Sequence, residues 1–141
     1  MVENLDLLAA KMAQKIVKED SGAKELDNLV TKTLGVLQEN GVYACLLFLF
    51  SRSDREEVRA RGIRNALLET LNHAPLKTLQ LSLPGDSKTW TWEFVSKQLL
   101  EDVKLFDDLD ALFLVKELYE QTLIYARYGA KAAKVESKGT R

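Results

Sequence analysis

Val42-Tyr-Ala-Cys-Leu-Leu-Phe-Leu-Phe50 is the longest apolar run in the chain, nine residues without a charge or a turn former. Its reading decides the fold. A membrane-spanning helix needs about 20 apolar residues, so this run belongs inside a folded domain. Apolar on every side, it reads as a helix at the centre of a bundle. A buried strand is the rival, because periodicity does not separate the two over so short a run. The neighbouring segments favour helix. Upstream, Leu26, Leu29, Val30, Thr33, Leu34 and Leu37 recur at three and four residues and predict a helix over 23–39. Asn40-Gly41 stops it, since both residues tolerate a left-handed helix terminus.

Working outward, Leu5, Leu8, Met12 and Ile16 predict a first helix over 4–18, broken at Asp20-Ser21-Gly22. After the apolar run, Ser53 or Asp54 with Glu56 or Glu57 forms a capping-box pattern. It opens a helix with Val58, Ala66, Leu67 and Leu71 inward, ending near His73 ahead of Pro75. Residues 74–90 form the one long irregular stretch. Leu79, Leu81 and Leu83 alternate there and Pro84-Gly85-Asp86 is a turn signal, which leaves room for a short strand pair. Thr91 caps a fifth helix with Phe94, Val95, Leu99 and Val103 inward. Leu112, Val115, Tyr119, Thr122, Ala126 and Ala130 predict a long sixth helix from Leu109 to about Lys134. The expectation is an all-α, compact, single-domain bundle of about six helices over 1–135, with a flexible polar tail over 136–141.

Composition agrees. The chain has 141 residues, 46% hydrophobic and 29% charged, with 2 Pro and 7 Gly. That is one domain's worth of core with few breaks in its elements. One cysteine, Cys45, allows no intrachain disulfide and suits a reducing compartment. Without a basic segment leading into an apolar one at the N-terminus, no secretory signal is legible, and a cytoplasmic location is expected.

Candidates for catalysis are few. His73, the single histidine, falls beside Asn72 at a helix end and reads as a capping or surface residue. Cys45 lies inside the apolar run, where desolvation makes a thiol a poor nucleophile. One Cys and one His cannot build a zinc site of N and S ligands, and no glycine-rich phosphate loop occurs. Asp102, Asp107, Asp108 and Asp110 cluster at a helix junction. Their spacing matches no calcium loop, and capping or a solvated face explains them better. No enzyme activity, metal, cofactor, small-molecule substrate or membrane partner is expected.

The charges are organised although the net charge is only −1. Arg52, Arg55 and Arg59 recur at i, i+3 and i+7, as if on one helix face. Arginine suits bidentate phosphate contact. Arg127, Lys131 and Lys134 form a second stripe, with Lys138 and Arg141 beyond, and Lys11, Lys15 and Lys18 a third. Any one stripe taken alone is explained better by the wet side of an amphipathic helix, since most exposed helix faces carry Lys and Arg. Glu101, Asp102, Asp107, Asp108 and Asp110 oppose only Lys104 within 101–110. Separated acidic and basic patches suit head-to-tail association, which yields linear stacks when it does not close.

Leu34-Gly-Val-Leu-Gln-Glu-Asn-Gly-Val-Tyr-Ala-Cys-Leu-Leu-Phe-Leu-Phe-Ser51 and Tyr119-Glu-Gln-Thr-Leu-Ile-Tyr-Ala-Arg-Tyr-Gly-Ala-Lys-Ala132 together resemble the small subunit of the type III-B (Cmr) CRISPR effector complex. The related type III-A small subunit is similar in being short, helical and basic-faced. The resemblance implies a helical bundle without nuclease activity, serving antiviral defence. Copies would stack along an assembly of other protein subunits. Basic faces, with Arg52, Arg55, Arg59, Arg127, Lys131 and Lys134 as candidates, would hold the guide RNA–target RNA duplex by its phosphates. Asp102, Asp107, Asp108 and Asp110 would serve stacking. A helical adaptor that binds only proteins is the reading of a different class.

Overall fold

A computed structural model describes residues 4–18, 20, 22–73, 81–82, 85–86, 89–102 and 105–139. Among the described residues six α-helices follow one another: α1 Leu5–Lys18, α2 Ala23–Asn40, α3 Val42–Phe50, α4 Glu57–Thr70, α5 Trp92–Lys97 and α6 Leu109–Gly139. Short 3-10 turns, Asp54–Glu56 and Leu105–Asp107, precede α4 and α6, and a π-turn, Gln98–Asp102, prolongs α5. No strand occurs among the described residues. The strand pair allowed for in 74–90 falls largely on 74–80, 83–84 and 87–88, outside the described residues. At Ser82 a side chain takes the place of a neighbouring strand: the buried Gln98 amide accepts from Ser82 N and donates to Ser82 O, both at 2.7 Å.

The 31-residue α6 is the spine, with α1 and α2 packed along it and α3 and α4 completing the bundle. One continuous core runs through all of them, from Leu8 and Ile16 through Leu29, Leu37, Leu46 and Leu67 to Tyr119 and Leu123. The inward face expected of α2 is buried without exception. So are Val115, Tyr119, Thr122, Ala126 and Ala130 of α6. Tyr119 is completely enclosed, and its hydroxyl donates to Leu67 O at 2.9 Å. Thr70 Oγ1 donates to the same oxygen. Leu67 lies in the last turn of α4, where carbonyls lack intrahelical partners, so a core tyrosine and a threonine finish the helix from the side.

Gly41 is where α2 turns into α3. Its φ of 94° and ψ of −174° lie in a region essentially closed to residues with a Cβ, and its N–H closes α2 on Leu37 O at 2.9 Å. The Asn-Gly break therefore works as expected. Thr91 also caps α5, accepting from Phe94 N at 3.2 Å.

Several expectations are corrected. α3 is not enclosed on every side. Val42, Cys45, Leu46 and Leu49 are buried, but Leu47 is 40% exposed, because α2, α4 and α6 leave that flank open. Val58 is exposed: nine residues are about two and a half turns, which sets it opposite the buried Leu67. Phe94 is exposed while Val95 and Leu99 carry the inward role; Val103 lies outside the described residues. The capping box does not form. Ser53 makes no side-chain cap, Asp54 takes a left-handed φ of 55°, and Glu56 turns to cations instead. α6 continues past Lys134 to Gly139 through a run of strong helix formers, Ala132, Ala133, Lys134 and Glu136.

Candidate nucleic-acid interface

Two of the three basic stripes from the sequence border α2, and most of their members already have partners within the chain. Arg127 and Lys134 converge on Asp27 of α2, each at 3.8 Å. Arg127 and Lys134 keep nearly two-fifths of their side-chain surface exposed, and Asp27 13%. Lys131 sits over the Tyr128 ring, 5.9 Å from its centroid, without a carboxylate partner among the described residues. Two of the three cations in this group thus share one carboxylate.

The other stripe is not one helix face. Arg52 precedes the 3-10 turn and folds back onto α3: its guanidinium stacks on Phe48 at 4.1 Å, donates to Phe48 O and reaches Glu56 Oε1 at 3.5 Å. Glu56 also pairs with Lys32 of α2 at 3.1 Å. Arg59 bonds Asp20 at 2.9 Å and lies so close to Gly22 that a Cβ there would stand 2.1 Å from its Nη2. Asp20 also accepts from Gly22 N at 2.7 Å. Arg59 is thus a latch that ties α4 to the α1–α2 turn. Arg55 is exposed and has no ion pair among the described residues. The change of helix type at 54–57 is what breaks the expected i, i+3, i+7 face.

Asp27 and Lys32 mark where the two groups meet α2. Five residues apart, they lie about 140° from each other around its axis, with the exposed Lys24, Asn28 and Thr31 on the ridge between them. Segments about seventy residues apart in sequence are therefore brought to the two flanks of one exposed helix ridge. The third stripe is divided: Lys15 bonds Glu69 at 2.6 Å, while Lys11 and Lys18 are exposed.

Asp102, Asp107, Asp108 and Asp110 are all exposed around the start of α6. Asp108 has a structural task, accepting from Ala111 N at 3.1 Å as the helix cap. Among the described residues no group of His, Cys, Asp and Glu could hold a metal ion, and no helix is long and apolar enough to cross a membrane. Cys45 is fully buried, and burial pushes its thiol up to about 12. His73 is half-buried just past the end of α4, and its N–H bonds Thr70 O.

The counterions Asp20 and Asp27 were not legible as such. A single aspartate in a turn, or on an amphipathic face, gives no sign of which distant cation it meets. No family model, curated protein or solved structure matches the chain.

Proposed function

We propose that the chain is a non-catalytic small subunit of an RNA-guided effector complex of the type III-B (Cmr) kind, stacking along the assembly and helping to hold the guide RNA–target RNA duplex in antiviral defence. One observation carries most of the weight: two basic groups distant in sequence flank a single exposed ridge on α2. A ridge rimmed by cations suits phosphate contact, which positions a nucleic acid without reading its sequence. The helices that carry the two stretches resembling the Cmr small subunit, α2, α3 and α6, also pack against one another. The acidic start and basic end of α6 support stacking. Asp110 and Lys131 are about 30 Å apart along the helix, far enough for one copy's acidic end to meet the next copy's basic end.

The intrachain pairs narrow the RNA-facing set. Arg55 and Lys131 have no ion pair among the described residues, whereas Arg59 serves the latch and Arg127 and Lys134 share Asp27. The test is therefore Arg55→Glu with Lys131→Glu in the assembled complex, with target-RNA affinity measured against salt. The reading requires weaker binding, equal losses for unrelated targets, and a salt slope shallower by about one per lost phosphate contact. Unchanged affinity and slope in a complex that still assembles favour the protein-only adaptor.

A further inference from the structure

Asp27 stands near the start of α2, at the edge of the exposed ridge, where the later turns of α6 run past it. Arg127 and Lys134 recur at i and i+7 on the face of α6 that meets α2, and each ends 3.8 Å from one of the two carboxylate oxygens. Hydrogen bonds between a cation and a carboxylate are about 2.7–2.9 Å long, so neither pair is drawn tight. Arg127 Nε is buried and makes no hydrogen bond. Thr31, one turn on, donates to Asp27 Oδ1 at 3.3 Å. Two further cations belong to the same surface: Lys131, between Arg127 and Lys134 on α6, and Lys24, one turn before Asp27 on the ridge. Neither has an ion pair among the described residues. The neighbouring acid does not serve these cations. Glu25 lies about 160° from Asp27 around α2, and its carboxylate turns to the helix start, 2.9 Å from where a Cβ on Gly22 would stand. Asp27 is therefore the one carboxylate paired with the α6 stripe among the described residues, and the backbone of α2 fixes how near it can come.

We propose that the Asp27 carboxylate is an internal competitor for phosphate: it holds Arg127 and Lys134 in the free chain and yields them to a phosphate of an RNA strand lying on the α2 ridge. A phosphodiester carries the same single charge as the carboxylate but is not tethered to α2, so it can come within full hydrogen-bond distance of both cations. The pairs it replaces are loose, and their cations are nearly two-fifths exposed, the kind of pair whose exchange costs little. Lys24 and Lys131 offer the adjoining contacts, which position a strand without reading its sequence. The proposal rests on the RNA-contact reading above and adds how its affinity is set. Asp27 holds down the binding of a stray strand by a lone copy, while a stack of copies gains from many ridges at once.

The test measures binding of a fluorescently labelled single-stranded RNA of mixed sequence to the full chain, by anisotropy, beside a labelled polyglutamate peptide. Asp27→Asn keeps the acceptor for Thr31 and should leave circular dichroism unchanged. It should bind the RNA about tenfold more tightly than the parent. Glu25→Gln makes the same change of charge beyond the ridge and should gain about twofold or less. With Arg127→Ala and Lys134→Ala already in place, Asp27→Asn should gain nothing. In the parent chain the Arg127 Nε–H resonance should shift saturably as RNA is added. Four results overturn the proposal: no RNA binding by Asp27→Asn, a gain no larger than that of Glu25→Gln, a gain that persists without Arg127 and Lys134, or an Arg127 resonance unmoved at saturating RNA. Polyglutamate that binds as tightly as RNA and gains as much from Asp27→Asn overturns the phosphate assignment in favour of an acidic protein segment. Failure here leaves the assembled-complex test standing, because Arg55 and Lys131 do not depend on Asp27. A gain here with no loss in the assembled complex removes the effector reading and keeps the competitor.

Discussion

Leu46 and Leu47 are adjacent in sequence and face opposite environments, one fully buried and the other 40% exposed. Leu46→Ala should cost about 2–5 kcal/mol, the usual range for a leucine cut back in a packed core. Leu47→Ala should cost well under half of that, because part of its surface is already in water. Urea denaturation of the two variants checks the difference. Cys45 offers a second residue-scale test. Burial raises its thiol from 9.0 to about 12, and burial likewise raises the Tyr119 hydroxyl, with the proximity of Cys45 adding to it. Both groups hold their protons more tightly folded than unfolded. Their contribution to stability is therefore complete below about pH 9 and is lost as pH climbs towards 12. The expected outcome is a melting temperature that falls across that window, with Cys45→Ala flattening part of the fall. At pH 8 the folded thiol should react with a disulfide reagent only as fast as the chain opens. The sequence already placed Cys45 in the interior. It could not show which flank of α3 lacks a neighbour, because an all-apolar run has no polar side to mark the open face.

At the scale of elements, the helices were legible wherever apolar residues keep a three-to-four spacing. α1, α2 and α6 follow their sequence patterns within a residue or two at their starts. Boundaries set by local chemistry were read unevenly. Asn40-Gly41 was clear because glycine alone fits the backbone there, and Gly41→Ala should cost about 1–3 kcal/mol as strain, measured by chemical denaturation. The capping box at Ser53 was misread because its glutamate had a stronger use: Glu56 joins Lys32 and Arg52, and so ties α2 to the end of α3. The latch between α4 and the α1–α2 turn was not visible at all, since Asp20 and Arg59 are separated by 39 residues. Asp20→Ala removes an acceptor shared by Arg59 and Gly22 N. It should destabilise the fold by about 1.5–3 kcal/mol, the range for hydrogen bonds to charged groups. Lys11→Ala, at an exposed position on α1, is the matched control and should be nearly silent.

For the whole molecule, the long-range arrangement of charge is the feature that connects fold to function. Its sequence signs were partly misleading. The stripes were real as clusters, but the fold spends several of their members on internal carboxylates. What survives is a helical body with two basic groups astride α2 and with acidic and basic regions at opposite ends of its longest helix. On the proposed reading, those features serve a repeated, non-catalytic part of an RNA-guided assembly rather than a protein-only adaptor. The most direct measurement is recovery of a tagged chain from the cells that naturally express it, with sequencing of the RNA and identification of the proteins that come with it. The account predicts repeat-derived guide RNAs, several copies of the chain per particle, and large effector subunits. Protein partners recovered without RNA above the level of an untagged control would contradict it.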